Sequence, residues 1–321
     1  MADIQTRKVQ LAVSAAAVPK DSIDYWLGGF IVFGMVVGAL VGGIVSAVIL
    51  ATAPGFTAAV QKTPLVIGWT VLIAAEGAVS WAGVLPAVSA WWVSTKAAER
   101  RNRKWLPMTL AAIVGAIALT FVLEPRVFPL HVPWPLGESH YARVGIMSFF
   151  VMIPPFLALA GMWSSAIAGF ELSFDKFDDK KKDVDVVATF VELRERVQSL
   201  LWYLGVVIGG AMLATGALRQ SMLDTGMTKE QYPSTLVLVY GAFFTLLLII
   251  SYVPAYLLLQ RGGKRLVYRL ADGDNVLAWN DQRQKLATML VPTGTIGDTL
   301  KSTIAIFSPV VAGFLSLAFP K

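Results

Sequence analysis

The chain contains no cysteine, and it has only two histidines. The absence of cysteine excludes disulfide bonds, thiolate metal sites and cysteine nucleophiles. The two histidines, His131 and His140, lie in a proline-rich stretch, and their spacing matches no metal-ligand pattern. No GxSxG, HExxH or GxxxxGK[ST] motif is present either. We therefore predict no enzymatic activity, no cofactor and no metal centre.

Charged residues are also scarce. They make up 15% of the 321 residues, whereas 56% are hydrophobic; an average soluble domain has roughly 25% charged residues. The charges cluster in short stretches between long apolar runs, which is typical of an integral membrane protein. The first 20 residues are polar and mixed and do not resemble a cleavable signal peptide, so we expect the first apolar run to direct insertion.

Six apolar segments are long enough to cross a bilayer. A spanning helix needs about 20 mostly apolar residues, because the hydrocarbon core is about 30 Å thick and each residue rises about 1.5 Å. The sequence therefore predicts an all-α, polytopic transmembrane helix bundle over residues 26–260, between an N-terminal arm (residues 1–25) and a C-terminal tail (residues 261–321). The predicted spans are Trp26–Ala53, Pro64–Val93, Leu106–Leu123, Val144–Phe170, Leu200–Met222 and Thr235–Leu259.

The distribution of basic residues predicts the orientation. Of the 27 Lys and Arg residues, all but five fall in the N-terminal arm, the second-to-third loop, the fourth-to-fifth loop and the tail. By the positive-inside rule this side is cytoplasmic, so both termini are expected inside, with the protein in a plasma membrane of the bacterial inner-membrane type. The five basic residues expected on the other side are Lys62, Arg126, Arg143, Arg219 and Lys229.

Two segments outside the spans are predicted to be helical. In the fourth-to-fifth loop, residues 173–199, valines recur near helical spacing from Val184 to Val197, which indicates a helix that continues into the fifth span as a cytoplasmic extension. In the tail, the apolar core Ile304–Phe319 has about 16 residues and contains Pro309, which is short for a span. We predict a helix that lies at the cytoplasmic interface or packs against the bundle. A seventh crossing stays open, because the positive-inside rule gives only a weak argument against it.

Glu76 is the deepest ionisable residue of the predicted spans, near the middle of the second. A carboxylate there costs several kcal/mol unless it is protonated, paired or hydrated, so it should face the bundle interior. It is a candidate proton or cation site, or part of an acidic ring around a pore. The alternative is a protonated side chain that is hydrogen-bonded to a neighbouring helix.

Small residues recur every four positions along the first span. This spacing leaves a flat stripe, which lets another helix backbone approach closely within lipid. The partner is either another helix of the same subunit, or a second subunit or pore. The stripe consists of Gly34, Gly38, Gly42 and Ser46.

Prolines fall inside three predicted spans, and basic clusters converge on the cytoplasmic side. Each proline removes a backbone donor and bends its helix; broken helices line binding sites in many transporters, although packing alone also accounts for such prolines. The candidate kinks are Pro86, Pro154, Pro155 and Pro254. The basic clusters favour contact with anionic headgroups or, as an alternative, a phosphate-bearing cytoplasmic ligand, which the Gly262–Gly263 backbone could approach. The clusters contain Arg100, Arg101, Arg103, Lys104, Lys180, Lys181, Lys182, Arg261, Lys264 and Arg265.

These features lead to three functional hypotheses. The first is a homo-oligomeric channel or pore-forming protein, gated by an anionic cytoplasmic ligand such as a nucleotide signal. The second is a proton-coupled secondary transporter that uses Glu76, and the third is a scaffold or complex subunit that transports nothing. The expected partners are anionic lipid and further copies of the chain, and we expect no binding to duplex nucleic acid.

Overall fold

The computed structural model describes residues 22–52, 60–61, 63–98, 138–174, 180–271, 276–291 and 296–317. The predicted third span, Leu106–Leu123, and the basic cluster from Arg100 to Lys104 lie outside these ranges. Within them the chain is almost entirely helical and forms no strand. The eight helices found there are α1 (Ser22–Ala51), α2 (Leu65–Ala82), α3 (Val84–Ala98), α4 (Glu138–Leu172), α5 (Lys180–Asp224), α6 (Ser234–Leu270), α7 (Val276–Leu290) and α8 (Ile296–Leu317).

Five helical segments of the described chain are long and apolar enough to cross a membrane, so the chain is a multi-pass membrane protein. They correspond to the predicted first, second, fourth, fifth and sixth spans, while the total of six and the cytoplasmic placement of both termini stay predictions. The five segments are Val32–Ala51, Leu65–Trp92, Arg143–Leu172, Asp185–Asp224 and Ser234–Leu270.

Helix α5 lies at the centre of the bundle and contacts α2, α4, α6 and α8. It is the most buried of the five segments, with large side chains such as Leu201, Leu204 and Met212 fully enclosed. At the other extreme, α1 packs mainly on α2 and exposes most of its apolar surface. The interior of the fold is therefore built around α5, and α1 is peripheral.

Helices α5 and α6 are longer than a bilayer is thick. Their 45 and 37 residues correspond to roughly 68 and 56 Å of helix, against a hydrocarbon core of about 30 Å. The first turns of α5 continue without a break into its span, as the valine spacing predicts. Phe190 of α5 and Leu266 of α6 share a core with Leu286 and Leu290 of α7. We call this assembly of residues 185–197, 260–270 and 276–290 the extension bundle.

Helix α8 packs along the spans of α5 and α6. The Ser308 hydroxyl donates a hydrogen bond to the Gly205 carbonyl oxygen at 2.7 Å. A Cβ atom at Gly241 would lie 2.9 Å from the Pro309 carbonyl oxygen, so only glycine permits this approach. Further along, Gly313 lies beside Val237, near the first turn of α6. The sequence predicts that the tail helix lies either at the cytoplasmic interface or against the bundle. These contacts agree with packing against the bundle.

The loop between α5 and α6 is held by a buried arginine. Arg219 is 8% exposed, and its Nε atom donates to the Tyr232 carbonyl oxygen at 3.0 Å. Burial raises the pKa of the Tyr232 phenol to about 12, against the opposing effect of the Arg219 charge, so this side chain stays neutral. The turn is completed by Gly226, whose φ of 106° suits a residue without a side chain.

Candidate functional site at the contact of α2 and α5

Glu76 lies on the face of α2 that packs against α5. It is 9% exposed, and its Cγ atom would lie 3.9 Å from a Cβ placed on Gly210. Gly210 of α5 faces the Glu76 side chain, and the space between them would admit a methyl group at ordinary van der Waals distance. Within the described residues, no hydrogen bond or ion pair reaches its carboxyl group. A carboxyl group in this environment is stable when it carries a proton, binds a cation or meets water.

Ser80 follows Glu76 by four residues and therefore lies one turn away on the same face of α2. It is fully buried, and its hydroxyl donates to the Val151 carbonyl oxygen of α4 at 2.5 Å. That carbonyl has no donor in its own helix, because residue 155, which would supply it, is proline. The Ser80 hydroxyl thus replaces the missing N–H group of Pro155.

The helix of the second span is interrupted at a single residue shortly after this serine, at Gly83, whose backbone dihedrals stay in the right-handed helical region. Helix α2 ends at Ala82, Gly83 forms a turn, and α3 starts at Val84. Pro86 explains the break, because its ring excludes a hydrogen bond to the Ala82 carbonyl, whereas the first turn of a new helix tolerates proline. The remaining candidate kinks differ: α4 continues through Pro154 and Pro155, and α6 continues through Pro254.

Tyr203 of α5 packs against this break. Its hydroxyl donates to the Ser80 carbonyl oxygen at 2.6 Å, and its ring occupies the space beside Gly83, where a Cβ atom would overlap the ring. The Ser80 carbonyl also accepts the Gly83 N–H at 3.1 Å, so Tyr203 is its second donor and ties α5 to the interruption. We refer to Glu76, Ser80, Gly83, Tyr203 and Gly210 as the α2–α5 seam.

The small-residue stripe of α1 contacts α2 and the start of α3 in the same chain. Gly34 meets the Leu85 side chain, Gly38 the Trp81 carbonyl, and Gly42 the Gly77 carbonyl. The Ser46 side chain completes the contact beside Gly77, and it is buried. The stripe thus has a partner within the subunit, on the helix that carries Glu76.

The basic residues described on α6 are exposed. Arg261 and Lys264 project from the extension bundle, and the Arg265 guanidinium lies 4.2 Å from the ring centroid of Phe174. Lys180, Lys181 and Lys182 form the first residues of α5, and their side chains lie outside the described part of the structure.

The backbone at Gly262 and Gly263 has a different role from the one predicted. Both glycines are buried inside α6: Gly262 lies against Gly169 and Phe170 of α4, and Gly263 against the Leu290 carbonyl of α7. Because these neighbours occupy the space, the two glycines serve helix packing and leave no room for a phosphate at their backbone.

Sequence reasoning identified Glu76 and missed the residues around it. Ser80 could have been found, because a hydroxyl four residues from a buried carboxyl shares its helix face. Tyr203 and Gly210 carry no such signal, since only the pairing of α2 with α5 brings them to the seam. No protein family, curated protein or solved structure matches this chain.

Proposed function

We propose that the protein is an ion-coupled membrane transporter in which Glu76 binds the coupling proton or cation inside one subunit. The observation that carries this proposal is the position of Glu76: its carboxyl group is buried where α2 faces Gly210 of α5, without a partner in the described residues. Buried ionisable groups in membrane helices occur at ion and proton pathways.

The interruption of the second span at Gly83 supports the same function. Discontinuous helices near the middle of the bilayer supply carbonyl groups and changes of direction at transporter binding sites. Here the interruption at Gly83 lies less than two turns of helix past Glu76, and Tyr203 of the central helix packs against it. Bending of the second span at Gly83 would change the surroundings of Glu76 and would in this way couple ion binding to conformation.

The experiment compares the wild-type protein with Glu76→Gln in proteoliposomes under an imposed proton gradient, with a panel of labelled solutes. A coupled transporter shows saturable uptake that depends on the gradient. We expect Glu76→Gln to abolish the gradient dependence, because the amide cannot exchange a proton. The matched control is Glu195→Gln, the same substitution at an exposed position of α5; its uptake should equal the wild type. Gradient-dependent uptake that persists in Glu76→Gln would remove Glu76 from the mechanism.

A homo-oligomeric channel is the second candidate, and the exposed surface of α1 favours it. Side chains on the face away from α2 are more than half exposed, which leaves this helix open to lipid or to another subunit; they include Val32, Phe33, Leu40 and Ile44. The same assay separates the candidates, since a pore gives a non-saturating leak, whereas a scaffold gives no flux.

A further inference from the structure

One face of α6 is exposed along almost its whole length. Its members follow each other at intervals of three or four residues, so they form a straight stripe on the helix. The first part is apolar, and the last part is basic and aromatic. The stripe runs through Val239, Ala242, Leu246, Ile250, Val253, Leu257, Arg261, Lys264 and Tyr268.

The change from apolar to basic occurs where the helix leaves the predicted span. Arg261 lies about 6 Å along the axis beyond Leu257, and Lys264 about 10 Å beyond it. The polar headgroup layer on each side of the hydrocarbon core is about 5–8 Å thick. The two cations therefore lie at the level of the lipid phosphates, directly in line with side chains that face acyl chains.

Arg265 lies beside this stripe and is held in place by aromatic rings. Its guanidinium carbon is 4.2 Å from the centroid of Phe174 and 5.4 Å from that of Phe170, at the end of α4. In this geometry the flat face of the guanidinium contacts the ring. The N–H groups at its edge then remain available to donate hydrogen bonds to a phosphate.

A second stack borders the stripe on its far side. Arg283 of α7 lies 5.2 Å from the ring centroids of both Tyr268 and Trp279. Tyrosine and tryptophan rings are typical of the membrane–water interface, where one end is apolar and the other meets water. The basic part of the α6 face is therefore bordered by interfacial aromatic groups.

We propose that this face of α6 binds an anionic phospholipid, with an acyl chain along Ile250, Val253 and Leu257 and the phosphate at Arg261, Lys264 and Arg265. The continuity of the apolar and basic parts selects a lipid over a free phosphate, because a soluble anion makes no use of the apolar part. The backbone also offers no separate phosphate cradle here, since α4 and α7 cover Gly262 and Gly263.

The test measures lipid retention by native mass spectrometry and the thermal unfolding midpoint of the purified protein in detergent, with added phosphatidylglycerol, phosphatidylcholine or inorganic phosphate. We expect phosphatidylglycerol to be retained and to raise the midpoint more than phosphatidylcholine does. In Arg261→Gln/Lys264→Gln, the apparent affinity for phosphatidylglycerol should fall about 30-fold, since each basic residue contributes about a factor of five at an anionic surface.

The matched control is Lys229→Gln/Lys285→Gln, which removes the same charge from two exposed positions off the stripe; it should retain the lipid as the wild type does. Arg261→Lys/Lys264→Arg conserves the charge and should also retain it. Equal retention of phosphatidylglycerol by the wild type and Arg261→Gln/Lys264→Gln would overturn the proposal. An equal rise of the midpoint with inorganic phosphate alone would also overturn it, because the site would then hold a free anion.

Discussion

At the scale of single residues, a hydroxyl group supplies the hydrogen bond that two of the helix prolines, Pro155 and Pro309, cannot make. Pro155 leaves the Val151 carbonyl without its donor, and Ser80 supplies one from α2. Pro309 does the same to the Ala305 carbonyl, whose oxygen lies 2.9 Å from the Ser308 hydroxyl; the single proton of this hydroxyl is shared between the Ala305 and Gly205 carbonyls. Neighbouring serine and threonine side chains are a known means of satisfying such carbonyls within a bilayer. The two cases differ because Ser80 satisfies a carbonyl of another helix, whereas Ser308 satisfies one of its own helix.

This substitution of donors can be measured with a double-mutant cycle. Ser80→Ala should lower the free energy of unfolding by about 1–3 kcal/mol, because the Val151 carbonyl is left buried without a donor. In the background of Pro155→Ala the same change should cost less, since an alanine at that position supplies the missing N–H group and the effects are no longer additive. The measurement is denaturant unfolding of the purified protein in mixed micelles.

The control for this cycle is Ser89→Ala, which removes a hydroxyl that bonds within its own helix, to the Pro86 carbonyl at 2.9 Å. Ser89→Ala should lower the free energy of unfolding by less than Ser80→Ala does, and by the same amount with proline or alanine at position 155. A cost of Ser80→Ala that is identical in both backgrounds contradicts the proposed exchange of donors.

At the scale of elements, the contact of α1 with α2 depends on bare backbone. Gly42 packs against the Gly77 carbonyl so closely that a Cβ atom would overlap the carbonyl oxygen. In lipid, where no hydrophobic driving force brings helices together, such close packing supplies much of the association energy. The glycine stripe thus secures an otherwise lipid-exposed helix to the one that carries Glu76.

Gly42→Ala should therefore separate α1 from α2 and destabilise the protein by about 1–3 kcal/mol, because the added methyl group meets backbone that cannot move aside. The matched control is Gly145→Ala on α4, where a Cβ atom meets nothing within 4 Å; it should be neutral, or stabilising by up to about 1 kcal/mol through helix propensity. Thermal unfolding in detergent distinguishes the two variants, and equal midpoints would show that the stripe does not hold α1.

At the scale of the whole molecule, the features predicted correctly from the sequence are those that depend only on the length and hydropathy of a segment. The helical class, five of the spans and the continuous helix through Val187 and Val197 into the fifth span are confirmed. These features are local, because the bilayer requires a certain length of apolar helix whatever its neighbours are.

Features that depend on pairing between helices were beyond the sequence. The glycine stripe indicated a close contact, but only the fold shows that α2 occupies it. Likewise, Glu76 was identifiable from its depth, whereas Tyr203 and Gly210 join the seam because α5 lies at the centre of the bundle. The sequence also suggested that a phosphate could approach the backbone at Gly262 and Gly263. In the fold, α4 and α7 pack against these glycines and occupy that space.

The orientation in the membrane is open to a direct test, because the chain has no cysteine of its own. Lys229 lies in the loop before α6, and Lys285 lies on α7, which follows the opposite end of that helix. We expect a membrane-impermeant maleimide to label Lys229→Cys in intact cells and Lys285→Cys only after permeabilisation, because the basic side is predicted to be cytoplasmic. The reverse pattern would invert the topology, and labelling of both from one side would exclude α6 as a span.

The bond between Ser80 and Val151 also has a consequence for biogenesis. Helix α4 cannot satisfy all of its own carbonyls, so on its own in the bilayer it would carry an unpaired acceptor, at a cost of several kcal/mol. Helix α2 is synthesised earlier, so its hydroxyl is already in the membrane when α4 arrives. We therefore expect α4 to dock onto α2, the helix that carries Glu76, as it enters the membrane, so that the order of assembly follows the order of synthesis.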